Sequence, residues 1–364
     1  MTRIAILTRT ITTANAVSND LLGMYEVLQR RGHDVRVYAD EWTHPTLRVR
    51  HAMRVGDFLQ DEQDILIYHY SIGWPLALEL LRELGCRKVI KYHNVTPPEF
   101  FEGIAEDHIR MCTEGRQQMK IIARLDCDLY LSDSPFNMRE LISEGAGEEK
   151  CAVVPPFHHV DRLLSVHPSI ELLDKYADGR VNILMVGRVS PNKGHIALLE
   201  AFATYYYHYN SNCRLIIVGI EREVFKAYSQ LIREMADLLG IERAVVFAGE
   251  VPDEDLKAYY LVANAFMMAS EHEGFCVPLV ESMAMKLPIV AYASTAIPET
   301  VGDAGLVWEE RDPYLLAQSL DSIVRDEAIG VALGLKGLRR YEQMYTNERI
   351  EEEFLRALDA FVLE

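Results

Sequence analysis

The sequence predicts an α/β protein made of two doubly wound, Rossmann-like domains facing a central cleft. Short apolar strands alternate with helical stretches along the whole chain, the pattern of parallel sheets covered on both faces. That alternation stops at Pro155-Pro156 and restarts near Val181. The length of 364 residues suits two such domains, since an ordinary domain takes about 100–200 residues.

In the first half the β-runs are residues 3–7, 35–38, 65–68, 88–92, 129–131 and 151–154. Each is short and rich in Ile, Val, Leu or Tyr, as fully buried strands are. A helix is expected over 16–31, with Val17, Leu21 and Leu28 on its apolar face and Gly32 as its stop. Residues 158–169 read as a connection. In the second half the strands are 181–186, 213–218, 244–247, 265–268 and 288–292, and an amphipathic helix over 347–363 ends the chain. The expected domains are 1–168 and 169–345, with the helix of 346–364 packing back on the first. In doubly wound sheets, ligands sit beyond the C-terminal ends of the strands.

Composition excludes several classes. Lys and Arg total 37 against 55 Asp and Glu, and the net charge of −18 argues against nucleic-acid binding. The acidity is uneven: residues 1–160 hold 18 basic and 23 acidic side chains, and residues 161–364 hold 19 and 32. The first half therefore tolerates an anionic membrane surface better than the second. No run reaches the roughly 20 apolar residues a bilayer span needs, nor is there a signal-peptide core, so a cytoplasmic protein is expected. The six cysteines form no C-x-x-C pair, which points to reduced thiols rather than disulfides or structural zinc.

Four constellations carry chemistry. The segment Glu273-Gly274-Phe275-Cys276-Val277-Pro278-Leu279-Val280-Glu281 follows a strand, turns on glycine and enters a helix at its proline. Open N–H groups at that helix start suit an anion, and the two carboxylates suit sugar hydroxyls. The loop Gly187-Arg188-Val189-Ser190-Pro191-Asn192-Lys193-Gly194 places two cations where they can converge on a diphosphate. His69 and His93 end successive strands, where this fold exposes active residues. The loop of residues 8–15 has no glycine, so a dinucleotide fingerprint is absent, as is a Walker loop. Asp126-Cys127-Asp128 stands at a strand start rather than a strand end, so no metal site is expected there or elsewhere.

These motifs, in this order, resemble the retaining glycosyltransferases of family 4, which have the GT-B fold. The resemblance spans nearly the whole chain. It is sharpest over 181–307, through Val186-Gly187-Arg188, Lys193-Gly194, Gly249-Glu250-Val251, Ser270, the Glu-x7-Glu segment and Ile297-Pro298-Glu299. It implies that His93, Arg188, Lys193 and Glu273 are catalytic, His93 and Glu273 at the sugar and the two cations at the leaving diphosphate. It implies donor binding by Gly187, Val251, Asp253, Ser270, Gly274, Phe275, Cys276, Val277 and Glu281, with Glu281 at the ribose and Val251 beside the base. The family's first loop carries glycines that this chain lacks, so Thr12, Thr13 and Asn15, with His69, are expected on the acceptor side, in the first domain.

The activity implied is transfer of a hexose from a nucleoside-diphosphate sugar to a hydroxyl acceptor, with retention and without a metal or other cofactor. Residues 92–101 are similar to bacterial mannosyltransferases of polysaccharide synthesis. GDP-mannose is therefore the expected donor, with a UDP-hexose or a nucleotide-binding scaffold without turnover as alternatives. A glycan or lipid-linked acceptor is expected. Arg116, Lys120 and Arg124 at four-residue spacing, together with Arg48, Arg50 and Arg54, are candidate contacts to an anionic membrane.

Overall fold

A computed structural model describes residues 2–13 and 15–360. Ala14 of the first loop and the last residues of the expected terminal helix, 361–363, lie outside the described residues. The chain forms two compact units.

The first unit contains residues 1–98, 107–159 and 346–364. Its strands are β1 (Arg3–Ile11), β2 (Asp34–Trp42), β3 (Val49–His51), β4 (Ile65–Tyr70), β5 (Arg87–Tyr92), β6 (Leu129–Ser132) and β7 (Cys151–Val153). They form one parallel sheet in the order β3-β2-β1-β4-β5-β6-β7. The order reverses between β1 and β4, so the strand ends beside that point are where a ligand is expected. Helix Ala16–Arg30 starts on Asn15, whose side-chain oxygen accepts from the Val17 N–H. Its Leu21, Met24 and Leu28 are buried against Ile4, Ile6 and Val37 of the sheet. The terminal helix Asn347–Leu358 belongs to this unit, with Ile350, Phe354 and Leu358 in the same core and Phe354 edge-on to Phe157.

The second unit contains residues 160–345 and a short excursion of the chain, 99–106. There Phe101 stacks on Phe225 at 5.6 Å. The strands are β8 (Val181–Val186), β9 (Cys213–Val218), β10 (Val245–Gly249), β11 (Ala265–Met268), β12 (Ile289–Tyr292) and β13 (Gly305–Trp308). They too form a parallel sheet, in the order β10-β9-β8-β11-β12-β13, reversing between β8 and β11. The loops after β8 and β11 are the two that carry the motifs.

The structure departs from the sequence expectation in four places. β1 runs to Ile11 instead of ending at Leu7, because Thr10 and Ile11 pair with Glu41 and Trp42 of a longer β2. β3 and β13 are additional edge strands. The expected connection over 158–169 contains the helix Val160–Ser165, which buries Val160 and Leu163. All six cysteines are unpaired, five buried and Cys151 half-buried. Among the described residues no helix is long and apolar enough to cross a membrane.

Candidate active site

In the second unit the loops after β8 and β11 are joined through Asn192. Its carbonyl accepts from the Glu271 N–H at 2.9 Å, and its amide donates to the His272 carbonyl at 3.0 Å. Ser190 donates to the Asn192 side-chain oxygen at 2.8 Å and fixes it. Gly194 follows at φ +64°, and a Cβ there would lie 2.0 Å from the Ala269 carbonyl oxygen. Only glycine allows both that conformation and that approach.

This stitching brings Lys193 onto Glu273. The ammonium donates to both carboxylate oxygens, at 2.6 and 2.8 Å, with the two side chains 14% and 7% exposed. Glu273 is held from behind by Thr295, whose hydroxyl accepts from the Glu273 N–H and donates to its carbonyl, each at 2.8 Å. Arg188 lies exposed on the same loop as Lys193. Ser270 is fully buried, and its hydroxyl has no hydrogen-bond partner.

Gly274 and Phe275 lead to Cys276, which takes φ +75° as the cap of helix Val277–Ala284. The Phe275 carbonyl is held by the Thr300 hydroxyl at 2.8 Å. Burial pushes the Cys276 thiol well above its ordinary pKa, with Glu273 adding to the effect, so it is no thiolate nucleophile. Glu281 is buried one turn into the helix and accepts from the Tyr260 hydroxyl at 2.5 Å. Burial, then the Glu281 charge, holds that phenol protonated. Asp253 is ion-paired to Arg162 at 2.6 Å, and Val251 packs against the unit's core. Gly187 donates its N–H to the Val218 carbonyl at 2.9 Å.

In the first unit His69 ends β4 and His93 follows β5. Their rings lie nearly parallel, with His69 Nδ1 2.9 Å from His93 Nε2. His93 Nδ1 is 2.9 Å from Asp133 Oδ2, so both of its ring nitrogens are engaged within the protein. The His93 side chain is 4% exposed although the residue is half-buried, so the surface it presents is chiefly main chain. Asp20 Oδ2 lies 3.6 Å from His69 Nδ1 and 3.5 Å from His93 Nε2. These three atoms are spaced closely enough to share an ion; the Lys91 ammonium is a cation already facing Asp20, 3.9 Å from the same oxygen. Thr12 donates its N–H to the Ser18 hydroxyl, Thr13 is exposed, and Asn15 is a helix cap.

The basic face expected of Arg116, Lys120 and Arg124 is not fully presented. Arg116 is paired to Glu140 at 2.7 Å and bonded to the Val95 carbonyl, and Arg124 donates to the Glu144 carbonyl. Arg54 pairs with Asp57. Arg48 and Arg50 instead line a shallow pocket with Arg36, Tyr25 and Asp34.

The family comparisons agree with this architecture. Residues 175–347 match the family "Glycosyl transferases group 1". The O-antigen chain mannosyltransferase B of Escherichia coli is 29% identical over 302 residues, 81% of this chain and 74% of that protein. A GDP-mannose-dependent alpha-(1-6)-phosphatidylinositol monomannoside mannosyltransferase of Mycolicibacterium smegmatis is 23% identical over 341 residues, 84% and 85% of the two chains. The solved sucrose-phosphate synthase of Thermosynechococcus elongatus superposes with a TM-score of 0.78 at 18% identity, covering 99% of this chain and 100% of that one. Residues 175–347 are a glycosyl transferases group 1 domain, and the chain has the GT-B fold of glycosyltransferases, enzymes that transfer sugar from nucleotide-sugar donors.

Proposed function

We propose that this protein is a retaining, metal-independent mannosyltransferase that takes mannose from GDP-mannose to a hydroxyl of a glycan or lipid-linked glycan. The observation that carries the reading is the meeting of the Arg188–Lys193 loop with the Glu273–Glu281 turn and helix at the β8/β11 reversal. The donor assignment is supported by the names of the two mannosyltransferase relatives.

In this reading Arg188, Lys193 and the start of helix Val277–Ala284 stabilise the charge that grows on the departing diphosphate. Glu273 orients donor-sugar hydroxyls, and Glu281, aimed by Tyr260, binds the ribose. When phosphate enters, Lys193 is shared between it and Glu273, so one cation links sugar and leaving group. Gly187, Val251, Asp253, Ser270, Gly274, Phe275, Cys276 and Val277 complete the donor site. His93 serves the sugar, and Thr12, Thr13, Asn15 and His69 belong to the acceptor side. Of the expected basic groups, Arg48 and Arg50, which line a pocket with Tyr25 and the Arg36–Asp34 pair, are the ones that would meet anionic lipid in peripheral attachment at the cytoplasmic face.

The test is thermal-shift screening against GDP, UDP and ADP and their sugars, followed by turnover in EDTA with the product anomer assigned by NMR. A ligand that binds only the folded chain raises its melting temperature. GDP and GDP-mannose should stabilise most, turnover should persist in chelator, and the product should be the α-anomer. Selective stabilisation by UDP and its sugars would transfer the reading to a UDP-hexose donor. Nucleotide binding without turnover on any acceptor would leave a binding scaffold.

A further inference from the structure

Five ionisable side chains meet beneath the C-terminal ends of β4, β5 and β6, none more than 6% exposed: Asp20, His69, Lys91, His93 and Asp133. They come from four elements of the first unit. Asp20 is on helix Ala16–Arg30, His69 on β4, Lys91 on β5 with His93 just after it, and Asp133 just after β6. Lys91 Nζ is 2.7 Å from Asp133 Oδ1 and donates to the Val154 carbonyl at 2.5 Å. The Phe157 N–H donates to Asp20 Oδ1 at 2.8 Å, which leaves Oδ2 facing the two imidazoles without a hydrogen bond.

Unbalanced charge is costly at such burial. Asp20 and Asp133 carry two negative charges when ionised, and Lys91 supplies one positive charge. A single additional proton among Asp20 Oδ2, His69 Nδ1 and His93 Nε2 makes the cluster neutral. The 2.9 Å contact between the two ring nitrogens is met by a neutral His69 donating from Nδ1, so the additional proton is the one that charge balance calls for.

We propose that Asp20, His69, Lys91 and Asp133 are positioning residues for His93, and that the Asp20–His69–His93 triangle holds one shared proton. Asp133 accepts from Nδ1–H of His93 and so fixes which ring nitrogen turns to His69. The strand end is thereby locked, together with Asn94, which takes φ +74° and donates to the Asn137 side-chain oxygen. The role of this array in the reaction rests on the reading of His93 as a site residue; its proton count does not. Burial holds His69 well below its ordinary pKa, with His93 and Lys91 adding, so His69 is not the member that carries the extra charge. Burial correspondingly raises Asp20, against Lys91 and His93. Burial also acts to raise Asp133, but His93 and Lys91 outweigh it and hold that carboxyl below its ordinary value.

The experiment is ¹⁵N NMR of the imidazole nitrogens in the full chain between pH 5 and 9, for wild type, Asp133→Asn and Lys91→Met. In the wild type, Nδ1 of His93 should stay protonated, with one further proton titrating in the pair. Asp133→Asn removes a negative charge and should move that midpoint down by about 1–3 pH units, whereas Lys91→Met should move it up by about as much. Unmoved midpoints, or shifts of the same sign, overturn the proposal. So does tight 1:1 uptake of added Zn²⁺ that perturbs both rings and is lost in His69→Ala, since the triangle would then be an ion site. Should Lys91→Met not fold, the near-isosteric Asp133→Asn decides by itself. In turnover, Asp133→Asn should lower kcat about tenfold or more, within the range of general acid–base and positioning effects, with KM changed far less. Its pH–rate profile should move with the NMR midpoint, and Asp133→Glu should restore part of the rate. Full turnover in His93→Ala would refute the site reading while the NMR result still judged the proton array.

Discussion

Lys193→Ala is expected to do two things that can be separated. It removes a cation from the proposed donor site, and it leaves Glu273, 7% exposed, without the partner that occupies both its oxygens. Breaking a buried ion pair by deleting one member costs about 3–5 kcal/mol, because the survivor is a buried, uncompensated charge. A unit of this size loses about 2–4 °C of Tm per kcal/mol, so Lys193→Ala should melt lower by roughly 6–20 °C. Glu273→Gln should cost less, since the Lys193 ammonium has some access to water. The double variant Lys193→Met/Glu273→Gln replaces the ion pair by groups of similar size and should recover most of the lost stability. It should nonetheless stay without turnover, because both groups are gone from the donor site. The assay is a double-mutant cycle from chemical denaturation, with nucleoside-diphosphate release measured on the same four proteins. A coupling energy under about 0.5 kcal/mol, the scatter expected of independent sites, would refute the pairing. Recovery of turnover in the double variant would remove both residues from the site.

Arg188→Ala offers the complementary case. Its side chain is exposed, and turnover should fall about 10²-fold while the variant still folds; initial rates and thermal melts check both. Tyr260→Phe removes a hydrogen bond to a buried carboxylate, worth about 1.5–3 kcal/mol, and nucleotide affinity by calorimetry should fall by about ten- to a hundredfold. Unchanged affinity would mean that Tyr260 does not aim Glu281 at the nucleotide. Gly194→Ala should give little folded protein, because its Cβ would collide with the Ala269 carbonyl; a Tm within a few degrees of wild type would contradict that geometry.

The alternation of strands and helices made both sheets legible, because buried parallel strands such as Ala265–Met268 are continuous apolar runs. The short edges were not legible. Val49–His51 has three residues, two of them polar, and Gly305–Trp308 opens on glycine and is not fully buried. The donor-side motifs could be read because each is contiguous and sits on a loop after a strand. What they touch could not be read, since Lys193 and Glu273 are 80 residues apart and are brought together by contacts such as those of Asn192 and Gly194 with the second loop. Tyr260 carried no signal beyond an apolar helix face. The cluster around His93 did leave a trace. Lys91 is a lone charge in a strand otherwise apolar at its buried end, and Asp133 follows its strand much as His93 follows β5. Arg116 misled for the opposite reason: helical spacing gives the face a residue lies on, but not the Glu140 that covers it.

In the proposed function, the loops at the β8/β11 reversal bind a nucleoside-diphosphate sugar through Glu281 and the Arg188–Lys193 pair of cations. Calorimetric titration of GDP-mannose into the wild type, Glu281→Ala and Arg188→Ala tests it most directly. GDP-mannose should bind the wild type 1:1 and both variants at least tenfold more weakly, with melting showing each still folded at the titration temperature. Wild-type affinity retained in both variants, or no binding of any nucleoside-diphosphate sugar to the wild type, would contradict it.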